Sequence, residues 1–163
     1  MLNSNLPATR ATVSGLLTAT GGETFYDTTV VIQFGIDGIL GASRAAVTNG
    51  TTPLLDGDGD ALKTLIGTAT AGQGCVMVWA LKADATVVVF QGPIRTLNAD
   101  GDFALAPDFP TIDLTTYCPF AYQILKHTAN ASTITFGTSN WNATGFTNVI
   151  HNVLELPSRP QIA

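Results

Sequence analysis

The densest chemistry in this chain lies in five consecutive residues, Asp56-Gly57-Asp58-Gly59-Asp60. Carboxylates at alternate positions on a glycine-flexible loop can turn toward one hard cation, and Ca²⁺ is bound by oxygen ligands of this kind. Asp56, Asp58 and Asp60 are therefore the candidate ligands of a structural Ca²⁺, the one cofactor that the residue pattern accommodates. An EF-hand loop needs Gly at its sixth position and Glu at its twelfth. Those positions hold Ala61 and Gly67. The competing reading is a solvated acidic loop whose last residue, Asp60, caps a short helix over 61–66, since Asp is a good N-cap. Asp100 and Asp102 form a sparser version of the same turn.

The remaining inventory is poor in catalytic groups. His127 and His151 have no second histidine at metal-ligand spacing, and neither HExxH nor CxxC occurs. There is no GxSxG elbow and no phosphate-binding GxxxxGK[ST]. The chain is read as a non-enzyme. Asn49-Gly50-Thr51, Asn130-Ala131-Ser132 and Asn142-Ala143-Thr144 match the glycosylation pattern, but turn chemistry accounts for them. Trp79, Tyr117, Tyr122 and Trp141 suit either a sugar groove or core and interface packing, and packing is the expectation because such rings bury large areas. Trp141 sits among Ser139, Asn140 and Asn142, so a buried Trp141 needs a partner for its N–H.

Composition narrows the class. Charged residues make up 12% of the 163, about half the usual share, while hydrophobic residues reach 45%. A surface with so few charges has little like-charge repulsion and suits permanent contact with other subunits. The net charge is −5, and the 7 Lys and Arg are scattered, so nucleic acid is not an expected partner. No apolar stretch approaches the length needed to span a bilayer, and the opening MLNSNLPATR lacks the pattern of a signal peptide. Cys75 and Cys118 form no framework. They are able to pair, but two reduced thiols are expected in a protein made in a cytosol.

Short runs of Val, Ile, Thr and aromatics between Gly/Pro turns predict an all-β fold, a β-sandwich or jelly roll of about eight short strands with at most one short helix. Strands are expected over 11–19, 28–34 and 42–47, the last closed by an Asn49-Gly50 turn. Gly35 and Gly38 suggest a bulge or bend before Ile39-Leu40. The clearest hairpin runs from Cys75 to Ile94 across Ala83-Asp84-Ala85. A second is expected from Phe120 to Phe136 with its turn over 128–131, and a last strand from Phe146 to Leu154. Pro107 and Pro110 punctuate a segment expected to cross between sheets. The domain scheme is an extended arm over 1–10, a single β domain over 11–155 and a second extended arm over 156–163.

The segment Phe136-Gly137-Thr138-Ser139-Asn140-Trp141-Asn142-Ala143-Thr144-Gly145 and the ending Leu156-Pro157-Ser158-Arg159-Pro160-Gln161 resemble small virion structural proteins of tailed phages. So do the hairpin leading into Phe90-Gln91-Gly92 and the opening Leu6-Pro7-Ala8-Thr9 with Gly15-Leu16-Leu17-Thr18. The resemblance implies a capsid decoration or cement protein on the capsid exterior, synthesised in the host cytoplasm. It further implies that the major capsid protein and copies of itself are the partners, commonly as a homotrimer, and that there are no catalytic residues. Such a protein bridges capsomers and needs low-charge surfaces and arms that reach neighbours. Leu156, Pro157, Arg159 and Pro160, with Trp141, are then the candidate subunit contacts. The alternative is a receptor- or glycan-binding β module of a head or tail fibre, in which Trp141 is the ring to test.

Overall fold

The structure is a computed structural model, and it describes residues 9–11, 17–19, 24–40, 43–68, 71–128 and 132–162. The described residues contain no helix. Their strands are β1 (Arg10–Ala11), β2 (Leu17–Ala19), β3 (Phe25–Thr28), β4 (Phe34–Ile36), β5 (Ile39–Leu40), β6 (Val47–Thr51), β7 (Leu65–Ile66), β8 (Gln73–Leu81), β9 (Val87–Gln91), β10 (Arg95–Thr96), β11 (Cys118–His127), β12 (Thr133–Ile134) and β13 (Phe146–Asn152). The chain is all-β, with its antiparallel sheets packed in a sandwich-like arrangement.

The organising element is β8. Its apolar residues do not alternate with polar ones, and every residue from Gly74 to Leu81 is buried. A continuous apolar run of this length is stable as a strand only if both faces are covered. β8 lies between β11, which carries β13 on its far side, and an edge made of β9 and β10 in succession. Gly92 continues that edge by donating its N–H to the Val76 carbonyl at 2.7 Å. Pro93 falls between the two edge strands, where its missing donor is tolerated.

Cys75, Met77, Trp79 and Leu81 point to one face, into a core shared with Tyr26, Phe34 and Leu65 from the three smaller sheets and with Trp141 from the segment between β12 and β13. Val76 and Val78 point to the other face. There, with Tyr122 and Ile124, they meet Phe103, Phe109, Ile112, Val153 and Leu156. The register of β11 against β8 shifts between Pro119 and Ala121, and the extra residue places both Phe120 and Ala121 in the first core.

The Cys75–Ile94 hairpin forms as expected. β8 and β9 are joined by a tight turn in which Lys82 N–H donates to Thr86 O and Ala85 N–H to Lys82 O. The last strand is β13. Other expectations are corrected. No helix forms over 61–66, because Gln91 Oε1 accepts the Lys63 N–H while Gln91 Nε2 donates to Lys63 O, and Gln73 Oε1 accepts the Ile66 N–H. These bonds hold the backbone extended, and Leu65–Ile66 pairs with β12. That pairing also removes the second hairpin: β11 is followed by a strand that belongs to β7, and the antiparallel neighbours of β11 are β8 and β13. Of the turn expected there, residues 129–131 lie outside the described residues.

Asn49-Gly50 does not end a strand. It lies within β6, where Thr48 and Asn49 stand against Asp27 alone, and Asn49 takes a φ of 54° to absorb the bulge. The expected strand over 28–34 is divided between β3 and β4, with Ile32 bridged to Arg44. Asp37-Gly38 forms a two-residue hairpin turn between β4 and β5, both residues at positive φ (49° and 74°), in place of the expected bulge or bend. The proline-bearing segment around 103–117 lies over the second face of the central sheet.

Candidate functional site

The Asp56–Asp60 loop is built around its own first side chain. Asp56 Oδ1 accepts the backbone N–H groups of Asp58 (3.0 Å) and Asp60 (2.8 Å). Asp56 N–H donates to Asp60 O at 2.8 Å, Gly59 N–H donates to Asp56 O at 3.1 Å, and a bridge between Leu55 and Ala61 closes the base. Gly59 sits at φ 95°, a conformation that L side chains rarely adopt. Asp58 Oδ1 is 3.2 Å from the Tyr117 hydroxyl, which also donates to Gly57 O at 2.9 Å. The three carboxylates line one cavity of about 440 Å³ with Phe90 and Phe109. Among the described residues no three His, Cys, Asp or Glu side chains are grouped so as to hold a metal ion. Asp60 is not a helix cap, since no helix follows it.

The four aromatic rings weighed for a sugar groove are core residues. Trp79 is fully buried, with its N–H given to Gln123 Oε1 at 2.7 Å. Trp141 is 6% exposed, stacks on Phe146 and donates its N–H to Phe25 O at 2.9 Å. This carbonyl is the partner that burial among polar neighbours demands, and it leaves Trp141 little surface for a subunit contact. Tyr117 and Tyr122 are buried on the second face of the central sheet.

The titratable residues are dispersed. His127 is fully buried, with Nδ1 3.3 Å from Gly145 O and Nε2 within 3.1 Å of both Ser132 O and Ser132 Oγ. His151 lies on the opposite face of the sheet, stacked on Tyr122. Cys75 stands opposite Leu125, and Cys118 opposite Leu81. The two thiols are thus six positions apart along β8, about 20 Å at the rise of a strand, far beyond disulfide reach. Burial pushes the Cys75 thiol up to about 12 and the Cys118 thiol up to about 11, so both are protonated and unreactive at neutral pH.

The C-terminal segment does not project. Leu156 packs on the Val76–Tyr122 cluster, and the Gln161 N–H donates to the Tyr122 hydroxyl at 3.2 Å. Pro157 and Pro160 are half-buried while Arg159 is exposed. Most of the expected N-terminal arm, residues 1–8, lies outside the described residues. Thr9 is held by a hydroxyl bond to Leu114 O at 2.6 Å, and Arg10 joins β1.

The apolar surface missed in the sequence is the β4–β5 hairpin, where Ile39 and Leu40 are 73% and 78% exposed. The signal for it was Asp37-Gly38, a strong hairpin dipeptide. No family model, curated protein or solved structure matches this chain.

Proposed function

We propose that this chain is a structural protein of a tailed-phage virion, of the capsid decoration or cement type, which bridges neighbouring capsid subunits through apolar surface. Its partners are the major capsid protein and copies of itself, arranged as a trimer on the capsid exterior. The observation that carries this reading is the exposed Ile39-Leu40 pair on the β4–β5 hairpin. Large apolar side chains exposed side by side on an edge strand mark contact sites when little else on the surface is charged, and only 12% of this chain is. The resemblance of the C-terminal third to small virion proteins supports the same reading. So does the placement of Trp79, Tyr117, Tyr122 and Trp141, which gives the core the rings that a glycan-binding groove would need at the surface.

The test is quantitative mass spectrometry of purified source virions. A copy number within a few-fold of the main shell protein is expected. A few copies per particle, or none, overturns the reading. Replacing Ile39 and Leu40 together by Asp is expected to abolish particle binding without unfolding the chain.

A further inference from the structure

A groove of about 300 Å³ lies beside the turn between β4 and β5. Its walls include Thr9, the turn residue Asp37, Leu114 and the stretch from Leu154 to Leu156. These come from four separate parts of the chain, and hydrogen bonds tie them together. The Thr9 hydroxyl donates to Leu114 O at 2.6 Å and accepts the Asp37 N–H at 2.9 Å, while the Ala11 N–H donates to Leu154 O at 3.1 Å. The groove is therefore formed before anything enters it, which lowers the ordering cost of binding. Its volume is at the low end for a ligand pocket and suits one long side chain.

Two features define what fits. Leu114 and Leu154 are exposed along the groove. The charged residues among its described lining are Asp37 and Glu155, and neither forms an ion pair among the described residues. Asp113, next to Leu114, is engaged in its own turn, where its carboxylate accepts from Thr115 and Thr116. An apolar groove rimmed by two carboxylates favours an arginine or lysine with an apolar neighbour, because the stem packs on leucine while the head meets the acids.

The chain itself presents such a segment. Arg95 is paired with Asp108, Lys126 with Asp102, and Lys82 lies over the Tyr117 ring. Arg159 is exposed and forms no ion pair among the described residues, not even with Glu155 four positions earlier. Three positions later, Ile162 is also exposed. Pro157 and Pro160 restrict the backbone on either side of Arg159, and the Gln161 N–H bond to the Tyr122 hydroxyl anchors the segment.

We infer that this groove receives the Arg159–Ile162 segment of a second copy of the chain. The guanidinium meets Asp37 and Glu155, and Ile162 meets Leu114 and Leu154. The inference deepens the reading above and rests on its statement that copies associate. It leaves Ile39 and Leu40 to the capsid subunit.

The test is analytical ultracentrifugation of the full-length protein. Concentration-dependent association that weakens with added salt is expected. Arg159→Glu and Glu155→Arg, both at exposed positions, are each expected to keep their melting temperature and to weaken association about tenfold, the loss of a charge-assisted contact. An equimolar mixture of the two variants is expected to regain it, because the acidic segment of one then meets the basic groove of the other. A wild-type chain still monomeric at about 100 μM, unchanged association in both variants, or no recovery on mixing would overturn the contact. A monomer that is nonetheless abundant in virions would overturn this contact alone and leave the capsid reading standing. A dimer with the same variant behaviour would keep the contact and overturn the trimer.

Discussion

Residues 55–61 and 97–103 fold into the same loop. In the first, Asp56 Oδ1 accepts the N–H groups of residues 58 and 60, and in the second, Asn98 Oδ1 accepts those of residues 100 and 102 at 3.0 and 2.9 Å. Asn98 N–H donates to Asp102 O and Gly101 N–H to Asn98 O, as Asp56 and Gly59 do, and Leu97 bridges Phe103 as Leu55 bridges Ala61. Gly59 and Gly101 both sit at positive φ, 95° and 82°. The difference is in seating. Gly57 is buried, donates its N–H to Val89 O at 3.0 Å and receives the Tyr117 hydroxyl, whereas its counterpart Ala99 is exposed. The pair teaches that the device is a side-chain oxygen closing on its own backbone, for which a carboxylate and an amide serve alike. Asp56, the first acid of the first loop, thus has a structural role of its own in closing the loop backbone.

The largest expected effect separates the loops at their second position. A Cβ on Gly57 would lie 2.2 Å from the Phe90 ring, so Gly57→Ala is expected to destabilise by about 1–3 kcal/mol through overpacking. Ala99→Gly is expected to stay within about 0.5 kcal/mol of wild type in the same urea denaturation. Equal effects would break the contrast in seating. Next come the closing side chains. Asp56→Ala and Asn98→Ala should each cost about 1 kcal/mol, since each leaves loop N–H groups without their acceptor. The exchanges Asp56→Asn and Asn98→Asp keep Oδ1 and should remain within about 0.5 kcal/mol. A large loss in Asp56→Asn alone would show that the charge matters in the first loop.

Tyr117→Phe sharpens the comparison further, at about 1 kcal/mol for the lost hydroxyl bond, and it carries a pH signature. Burial first, and then the Asp58 carboxylate, hold the Tyr117 phenol above its ordinary value of 10.0. With the folded value above the unfolded one, the phenol's contribution to stability is fully present below pH 10.0. It is lost as pH rises through the folded value. Tyr117→Phe should therefore flatten the alkaline fall in stability, and Asn98→Ala should not. The smallest effect belongs to the second loop's own tie, Asp102 to Lys126 at 3.1 Å, with Asp102 71% exposed. Lys126→Ala should cost no more than about 0.5 kcal/mol and less still in high salt.

Much of the fold was legible where the deciding contacts are local. The Cys75–Ile94 hairpin follows from a short turn between two apolar runs, and β13 from its own composition. The demand of Trp141 for an N–H partner was readable, although nothing in the sequence pointed to Phe25, more than a hundred positions away. The candidate site was less legible. Asp56, Asp58 and Asp60 were found as a cluster, but the inward turn of Asp56 depends on a bridge that only the folded loop makes. Ile39 and Leu40 read as an ordinary strand fragment until the Asp37-Gly38 turn placed them at an edge. The stack of His151 on Tyr122 was not legible, because it depends on the register of β13 against β11.

The sequence by itself determined the class of the protein. Its low charge, its short β-branched runs and its Gly/Pro punctuation leave strands as the only way to bury so much apolar surface. The tertiary structure alone decided which strand pairs with which, since β7 with β12 and β11 with β13 are equally permitted by composition. It also decided which face of each strand is covered, because Leu156 and Phe109 must fold back from distant positions to seal Val76 and Tyr122. Local preferences are set by a residue and its near neighbours. Pairing and coverage depend on contacts far apart in sequence, formed only once the chain has closed on itself.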